Sequence, residues 1–422
     1  MMVVARGVVR AVCAAAGCRL AVGGRAAVGG MGRRCQHTDA GEEQEGKHIP
    51  YGQEGTGYYS LATKGCFDVI NNASDLALNS LRTAVDAYKA RNDGKPFVIA
   101  DYGTADAGTS MPLITVLLKE LETLIGEDPV TFIYEDQTTN DFNSVFKRAH
   151  GLIPPPQSYK DDTPLQPFVQ KYNNTFVMAS GTSFYEQVTP NETVDLGISA
   201  TAMHWLTSSP CAIPDALHSA YSKDAATLAK YEEQAFSDLL RIFQHRAAEL
   251  KSGGQFVCIN FAKDDKGQFL GHTEQTPACM HTTFYELWCE MADEGLITKQ
   301  EVLNTNFPNQ YRTIREHQRV LDDASLSSLE VQTLNTRVVP CPYRQSLLKG
   351  EIEPAKYAAT FVPTTRTWSN STFVSGLDDS RSAEEKDALV DEMFNRYAAR
   401  ISKNPTDHGM DYVHAYLAFA KK

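Results

Sequence analysis

No stretch of this chain approaches eighteen uninterrupted apolar residues, which excludes a membrane-spanning helix. Cys-x-x-Cys pairs are also missing. The nine cysteines (Cys13, Cys18, Cys35, Cys66, Cys211, Cys258, Cys279, Cys289 and Cys341) are odd in number and scattered, with Cys258 inside an apolar, strand-like run. Buried free thiols in a reducing compartment are expected, and no zinc site. Basic residues are the minority, 40 against 52 acidic ones, for a net charge of −12. That balance argues against nucleic-acid phosphate as the partner, since such binders carry basic stripes. A small anionic ligand is still compatible with it, because a pocket can be neutral inside an acidic envelope. There is no internal repeat, no long low-complexity tract and no Gly-x-Gly-x-x-Gly fingerprint.

Acidic residues are absent before Asp39, while residues 1–38 carry Arg6, Arg10, Arg19, Arg25, Arg33 and Arg34 among many Ala, Val and Gly. This is the composition of a transit peptide for the mitochondrion or another organelle. A start at Met31, giving a cytoplasmic protein, is the alternative. Residues 39–56 read as a polar linker. With 422 residues, 42% of them hydrophobic and 22% charged, the chain suits a large domain with an insertion, or two domains.

Beyond the linker, strands and helices alternate in the α/β manner. The expected strands are Phe97–Tyr102, Val130–Tyr134, Phe176–Ala179, Val194–Ser199 and Phe256–Phe261. A Leu-rich helix spans about Pro112 to Ile125, with Pro112 in the first turn, where its missing N–H goes unneeded. A long amphipathic helix runs from about Lys223 to Lys251, with Gly253 and Gly254 read as its cap. Crossovers of helical length call for a largely parallel sheet. Residues from about Thr282 to His317 read as a helical cap over the strand ends. Ser382-Ala-Glu-Glu385 is a capping box opening a helix to about Ile401. Alternation in Tyr412–Phe419 predicts a final half-buried strand, antiparallel to its neighbour. The implied layout is a core over 57–270, a cap over 271–345, and a C-terminal part over 346–422 that completes both.

Four segments carry chemistry. In Ala100-Asp-Tyr-Gly-Thr-Ala-Asp-Ala-Gly108 a strand ends in Asp-x-Gly and a turn of small residues, as a nucleoside cofactor requires for close backbone approach. Asp101 there disfavours a pyrophosphate. Asp136, at the end of the second strand, is placed to accept two hydrogen bonds from a ribose diol. Ser180-Gly-Thr-Ser-Phe-Tyr185 offers a hydroxyl and a ring to an adenine, although by itself it is only a turn. In Met203-His204-Trp205 the indole N–H donates only, so it can hold a carboxylate without competing for a proton. A core aromatic beside a satisfied histidine is the plainer reading of that pair.

The order of these segments resembles the plant-type SABATH carboxyl and N-methyltransferases. Two stretches are specific: Asn140-Asp-Phe-Asn143 with Phe146-Lys147, and His204-Trp205-Leu206 after Ser199. The similarity runs from about residue 51 to 320 and returns in Phe394–Arg400. It implies a Rossmann-like class I methyltransferase sheet with a mainly α-helical cap, S-adenosylmethionine (SAM) as cofactor, and a small carboxylic acid as acceptor. By position it implies that Tyr58, Asp101, Gly103, Thr104, Thr109, Asp136, Gln137, Ser183 and Phe184 form the cofactor site. Ser60, His204 and Trp205 would face the acceptor. Trp288, Tyr285 and Tyr311, in or beside the expected helical cap, are read as setting the size of the acceptor pocket. The family's usual residues are replaced at Gly57, Ser60, Thr104, Thr109, Gln137 and Thr201, which points to a non-plant branch. A homodimer is implied by the resemblance alone, and a magnesium ion is allowed by it without any ligand cluster in the sequence to hold one.

A carboxylate acceptor needs no catalytic base, because a pKa near 4 leaves it ionised at neutral pH. Alignment and exclusion of water are then the work, and positioning contributes roughly 7–11 kcal/mol in favourable cases. Methylation of a ring nitrogen or a hydroxyl is the nearest alternative, with His204 as base. A nicotinamide-dependent oxidoreductase and a catalytically silent SAM-binding relative are the others.

Overall fold

The computed structural model describes residues 51–52, 54–153, 167, 169, 172 and 174–422. The expected transit segment, 1–38, and most of the linker lie outside the described residues.

Five strands, β1 (Phe97–Tyr102), β2 (Val130–Glu135), β3 (Thr175–Ser180), β4 (Val194–Ala200) and β5 (Leu250–Lys263), run parallel in the order β3-β2-β1-β4-β5. The two-residue β6 (Arg312–Thr313) pairs in parallel with the end of β5. The order then continues through β8 (Tyr412–Lys421), antiparallel to β5, to β7 (Leu329–Val339), antiparallel to β8. The final strand is therefore antiparallel as expected. It is not half-buried, however: every residue from Tyr412 to Ala420 is buried. The reason is its place inside the sheet, with both faces covered.

Side-chain alternation divides the core in two. Ile99, Phe132, Ile198, Ile259 and Tyr416 face a layer that includes α2 (Lys64–Asn71), α3 (Ser74–Arg91) and α4 (Met111–Ile125). Ala100, Tyr102, Ile133, Phe256 and Phe419 face α6 (Ala225–Glu249) and α9 (Ile314–Leu321). Two covered faces explain why these strands read as continuous apolar runs. The short α1 (Tyr58–Ala62) and α5 (Phe142–Ala149) sit at the carboxyl ends of the strands.

The glycines after α6 do a different job from the one expected. The helix stops at Glu249 and β5 starts at once with Leu250. Gly253, at φ +77°, lies inside β5 beside a register shift. A Cβ there would come 2.5 Å from Ala87 Cβ on α3, so close helix–strand packing demands the glycine.

The remaining helices are α7 (Met280–Asp293), α8 (Lys299–Asn304), α10 (Pro342–Leu348), α11 (Pro354–Gly376) and α12 (Ala383–Lys403). α7, α8, α11 and α12 pack on one another as the cap. α12 opens on the expected capping box, with Ser382 accepting from Glu385 N and Glu385 accepting from Ser382 N. Val390, Met393, Phe394, Tyr397 and Ile401 are its buried face. Among the described residues, no helix is long and apolar enough to cross a membrane.

Candidate active site

β1 ends at Tyr102 and the chain turns at Gly103, φ +75°, where a Cβ would sit 2.3 Å from Ala202 Cβ. The loops after β1 and β4 therefore touch, and only glycine permits it. Ala105 and Ala107 follow at φ +49° and +60°, and Thr201 after β4 is at +58°. Such conformations cost non-glycine residues on the order of 1–3 kcal/mol and persist where surrounding contacts hold them.

The holding contacts are visible. Ala105 N donates to Asp136 Oδ2 at 2.7 Å, and its carbonyl accepts from Asn140 Nδ2 at 2.8 Å. Gln137 N donates to Asp136 Oδ1 at 2.8 Å. Gly103 N donates to Glu135 Oε2 at 3.1 Å. Asp141 caps α5, accepting from Ser144 N at 3.0 Å, and also accepts from Gly55 N at 2.6 Å. The Asn140–Asn143 motif thus shapes the loop from behind.

Arg148, fully buried on α5, clamps the same loop. It meets Asp106 Oδ2 at 3.1 Å through one guanidinium nitrogen and the Asp106 carbonyl at 3.0 Å through Nε. The Asp106 carboxylate also accepts from Gly108 N at 3.1 Å, from Ser60 N at 3.0 Å and from the Ser60 hydroxyl. Ser60 is therefore turned away from any acceptor. The acidic residue at position 106 is what captures it.

A cleft of about 1040 Å³, partly open to solvent, lies at the carboxyl ends of β1, β2 and β4. Of the residues expected there, Gly103, Asp136, Gln137, Ser183, Phe184, His204 and Trp205 line it. Asp101, Thr104 and Thr109 are buried behind the wall. Asp101 accepts from Ser110 Oγ at 2.8 Å and Thr104 Oγ1 at 3.2 Å. Tyr58 lines a smaller hollow that shares Tyr59 and Ala105 with the cleft. Trp288 is fully buried in the cap, donating to Thr305 Oγ1 at 3.0 Å and packed edge-on against Phe373. Trp368 of α11 lines the cleft instead. The chain has three tryptophans, so that residue type alone was a signal for it.

Tyr59, between the expected Tyr58 and Ser60, also lines the cleft, and other lining residues came from segments without a motif: Cys66, Leu270, Asn309, Met410 and Tyr412. Burial pushes the Asp101 and Asp136 carboxyls up to about 6, against hydrogen bonds that pull the other way. Asp136 is the one carboxylate among the described residues that line the cleft, and no Lys or Arg is among them. Six cysteines are described and all are free thiols. Among the described residues no group of His, Cys, Asp and Glu is placed to hold a metal ion.

The sequence profile for SAM dependent carboxyl methyltransferases matches residues 51–422. The chain belongs to that family.

Indole-3-acetate O-methyltransferase 1 of Arabidopsis thaliana is 27% identical over 246 residues, which is 54% of this chain and 60% of that protein. The alignment thus spans less than two thirds of that relative. O-methyltransferase acrG of Aspergillus aculeatus is 24% identical over 87% of this chain and 96% of its own length. A solved loganic acid methyltransferase with S-adenosylhomocysteine superposes with a TM-score of 0.68, at 18% identity, over 89% of this chain and 99% of that one. The fold is that of the class I SAM-dependent methyltransferases, and SAM is the family's methyl donor.

The cleft fits that cofactor. A glycine turn with no room for a Cβ leaves backbone open at the β1 end, a carboxylate stands at the end of β2, and Phe184 and Tyr185 offer adjacent rings, with centroids 4.7 Å apart.

Proposed function

We propose that this chain transfers the methyl group of SAM to the carboxylate of a small, largely apolar organic acid. The observation that carries this reading is a cleft that joins the strand-end cofactor loop to Trp205 and an aromatic chamber, with no cationic side chain and one carboxylate among the described residues that line it. Bound SAM supplies an electrophilic methyl on a sulfonium. In this reading Asp136 accepts from the ribose hydroxyls, while Ser183 and Phe184 flank the adenine. The Trp205 indole N–H orients the acceptor carboxylate, a bond to a charged group contributing about 1.5–3 kcal/mol. Phe261, Leu270, Tyr311, Trp368 and Met410 surround the acid's body and exclude water. An ionised carboxylate attacks directly, so no residue need take a proton, and alignment carries the catalysis.

The names of the relatives support an acid acceptor: indole-3-acetate and gibberellic acid in Arabidopsis thaliana proteins, loganic acid in the solved structure. Family resemblance supports a homodimer, and the Arg-rich first 38 residues support an organellar address.

The test has two arms. Calorimetry of S-adenosylhomocysteine binding should give micromolar affinity in the parent chain and at least a tenfold loss in Asp136→Ala. A panel of benzoic, indole-3-acetic, gibberellic and loganic acids with methyl-labelled SAM should then give a base-labile methyl ester from at least one acid. A base-stable product would move the reading to nitrogen or hydroxyl methylation.

A further inference from the structure

An ionised carboxylate presents about four lone-pair directions, and one indole N–H fills one of them. The hydroxyl of Ser60 is committed to Asp106, so a second donor must come from elsewhere. The backbone beside Trp205 supplies a candidate. Leu206 N donates to the Pro308 carbonyl at 2.8 Å and Gln310 N donates to the His204 carbonyl at 3.0 Å. Between these two bonds Trp205 and Asn309 face each other across an antiparallel bridge. In such a pair, with no hydrogen bond exchanged by the two residues themselves, the Cα atoms lie about 4.5 Å apart and the side chains leave on the same side. Both residues line the cleft.

Asn309 is 1% exposed, and its Oδ1 has no hydrogen-bond partner. A buried amide oxygen left in that state costs free energy unless a donor reaches it, and the donor beside it is His218. The amide's orientation is set by His218, also fully buried. Ala220 N donates to His218 Nδ1 at 2.9 Å, which leaves the proton of the neutral ring on Nε2. The His218 and Asn309 side chains interact, yet neither Nε2 nor Oδ1 closes an ordinary hydrogen bond. An Nε2–H draws the amide oxygen toward itself and leaves the amide nitrogen for the cleft.

We propose that Asn309 is the second anchor of the acceptor carboxylate, its amide N–H donating alongside the Trp205 indole, and that His218 is its positioning residue. This rests on the carboxyl-transfer reading above.

The experiment uses the acid from the panel that the parent chain methylates best, together with that acid's primary carboxamide as an inhibitor. Asn309→Asp places a like charge beside the substrate and should raise the acid's KM at least thirtyfold. The carboxamide, which can donate to an aspartate, should inhibit that variant as well as it inhibits the parent. Asn309→Leu should weaken acid and carboxamide together by about tenfold. His218→Phe should raise the acid's KM severalfold with kcat within twofold. Affinity for S-adenosylhomocysteine should stay within twofold throughout. Equal losses of acid and carboxamide in Asn309→Asp, or unchanged KM in both Asn309 variants, would overturn the inference and leave carboxyl transfer standing. Failure of the parent chain to methylate any acid of the panel would overturn both.

Discussion

A buried ion pair adds a second hold on the cofactor loop, beside the Asp136 and Asn140 contacts to Ala105. Asp106 and Arg148 are both buried and share at least five hydrogen bonds with the loop, α1 and each other. Arg148 also reaches the Gly57 carbonyl, where a Cβ would come within van der Waals overlap of the guanidinium. The small residues at 57 and 108 are thus the space the guanidinium occupies. Removing one partner of a buried pair strands the other, which typically costs 3–5 kcal/mol. Arg148→Met is expected to destabilise the fold by that order in urea titration. It should also weaken S-adenosylhomocysteine binding at least tenfold, because Asp106, between Ala105 and Ala107, loses the guanidinium that fixes it. A variant with full stability and full affinity would show that the loop needs no clamp.

Among the elements, α2 and β8 meet more tightly than any pattern in the chain announces. A Cβ on Gly65 would lie 2.1 Å from the Tyr412 ring, and Tyr412 is part of the cleft wall. Gly65→Ala should therefore cost about 1–3 kcal/mol by overpacking, and should raise the acceptor KM while leaving S-adenosylhomocysteine affinity intact. Denaturation midpoints and a KM measured beside that affinity check both parts. Elements with strong local signals were legible in the sequence. β1 has the expected limits, α6 lies within two residues of them at each end, and α12 starts on its Ser382 box. α11 was not legible, and its residues explain why. It carries Pro363 in its interior together with Thr364, Thr365, Thr367 and Thr372, all of which disfavour helix locally. Burial overrides that preference: Thr365, Thr367 and Ser369 satisfy their hydroxyls on carbonyls three or four residues back, at 2.6–2.8 Å. The candidate site divides the same way. Asp136 and Trp205 stand in contiguous motifs, whereas Asn309, Trp368 and Tyr412 reach the cleft only through tertiary packing.

At the scale of the whole molecule, buried titratable groups set the response to acid. Burial holds His218 and His414 down to about 3 and His317 to about 4, and lowers His281 further below its ordinary value. A histidine lowered in the fold binds its proton first in the unfolded chain, so its contribution is present above about pH 6.5 and is lost as pH falls. Asp101 and Asp136, raised to about 6 by burial, and Glu135, raised well above its ordinary value, act oppositely. Their contribution is present below about pH 4 and is lost as pH rises through the folded value. His408 is lowered by burial too, and five buried histidines against three acids leave a net loss on acidification, on the order of 1.4 kcal/mol per pH unit for each excess proton. Stability should fall from pH 6.5 to pH 5 in urea titrations, and His414→Phe should flatten the slope; a profile that rises toward acid would contradict this balance. The buried position of β8 has a further consequence, for the chain as it is being made. β5 ends at Lys263 and its partner begins at Tyr412. At about 5–20 residues per second of synthesis, the Phe256–Phe261 edge waits roughly 7–30 seconds on the ribosome without its neighbour. An apolar strand edge left open that long is a template for pairing between nascent chains, so slowing synthesis between these two strands should lower the yield of this protein in a cell.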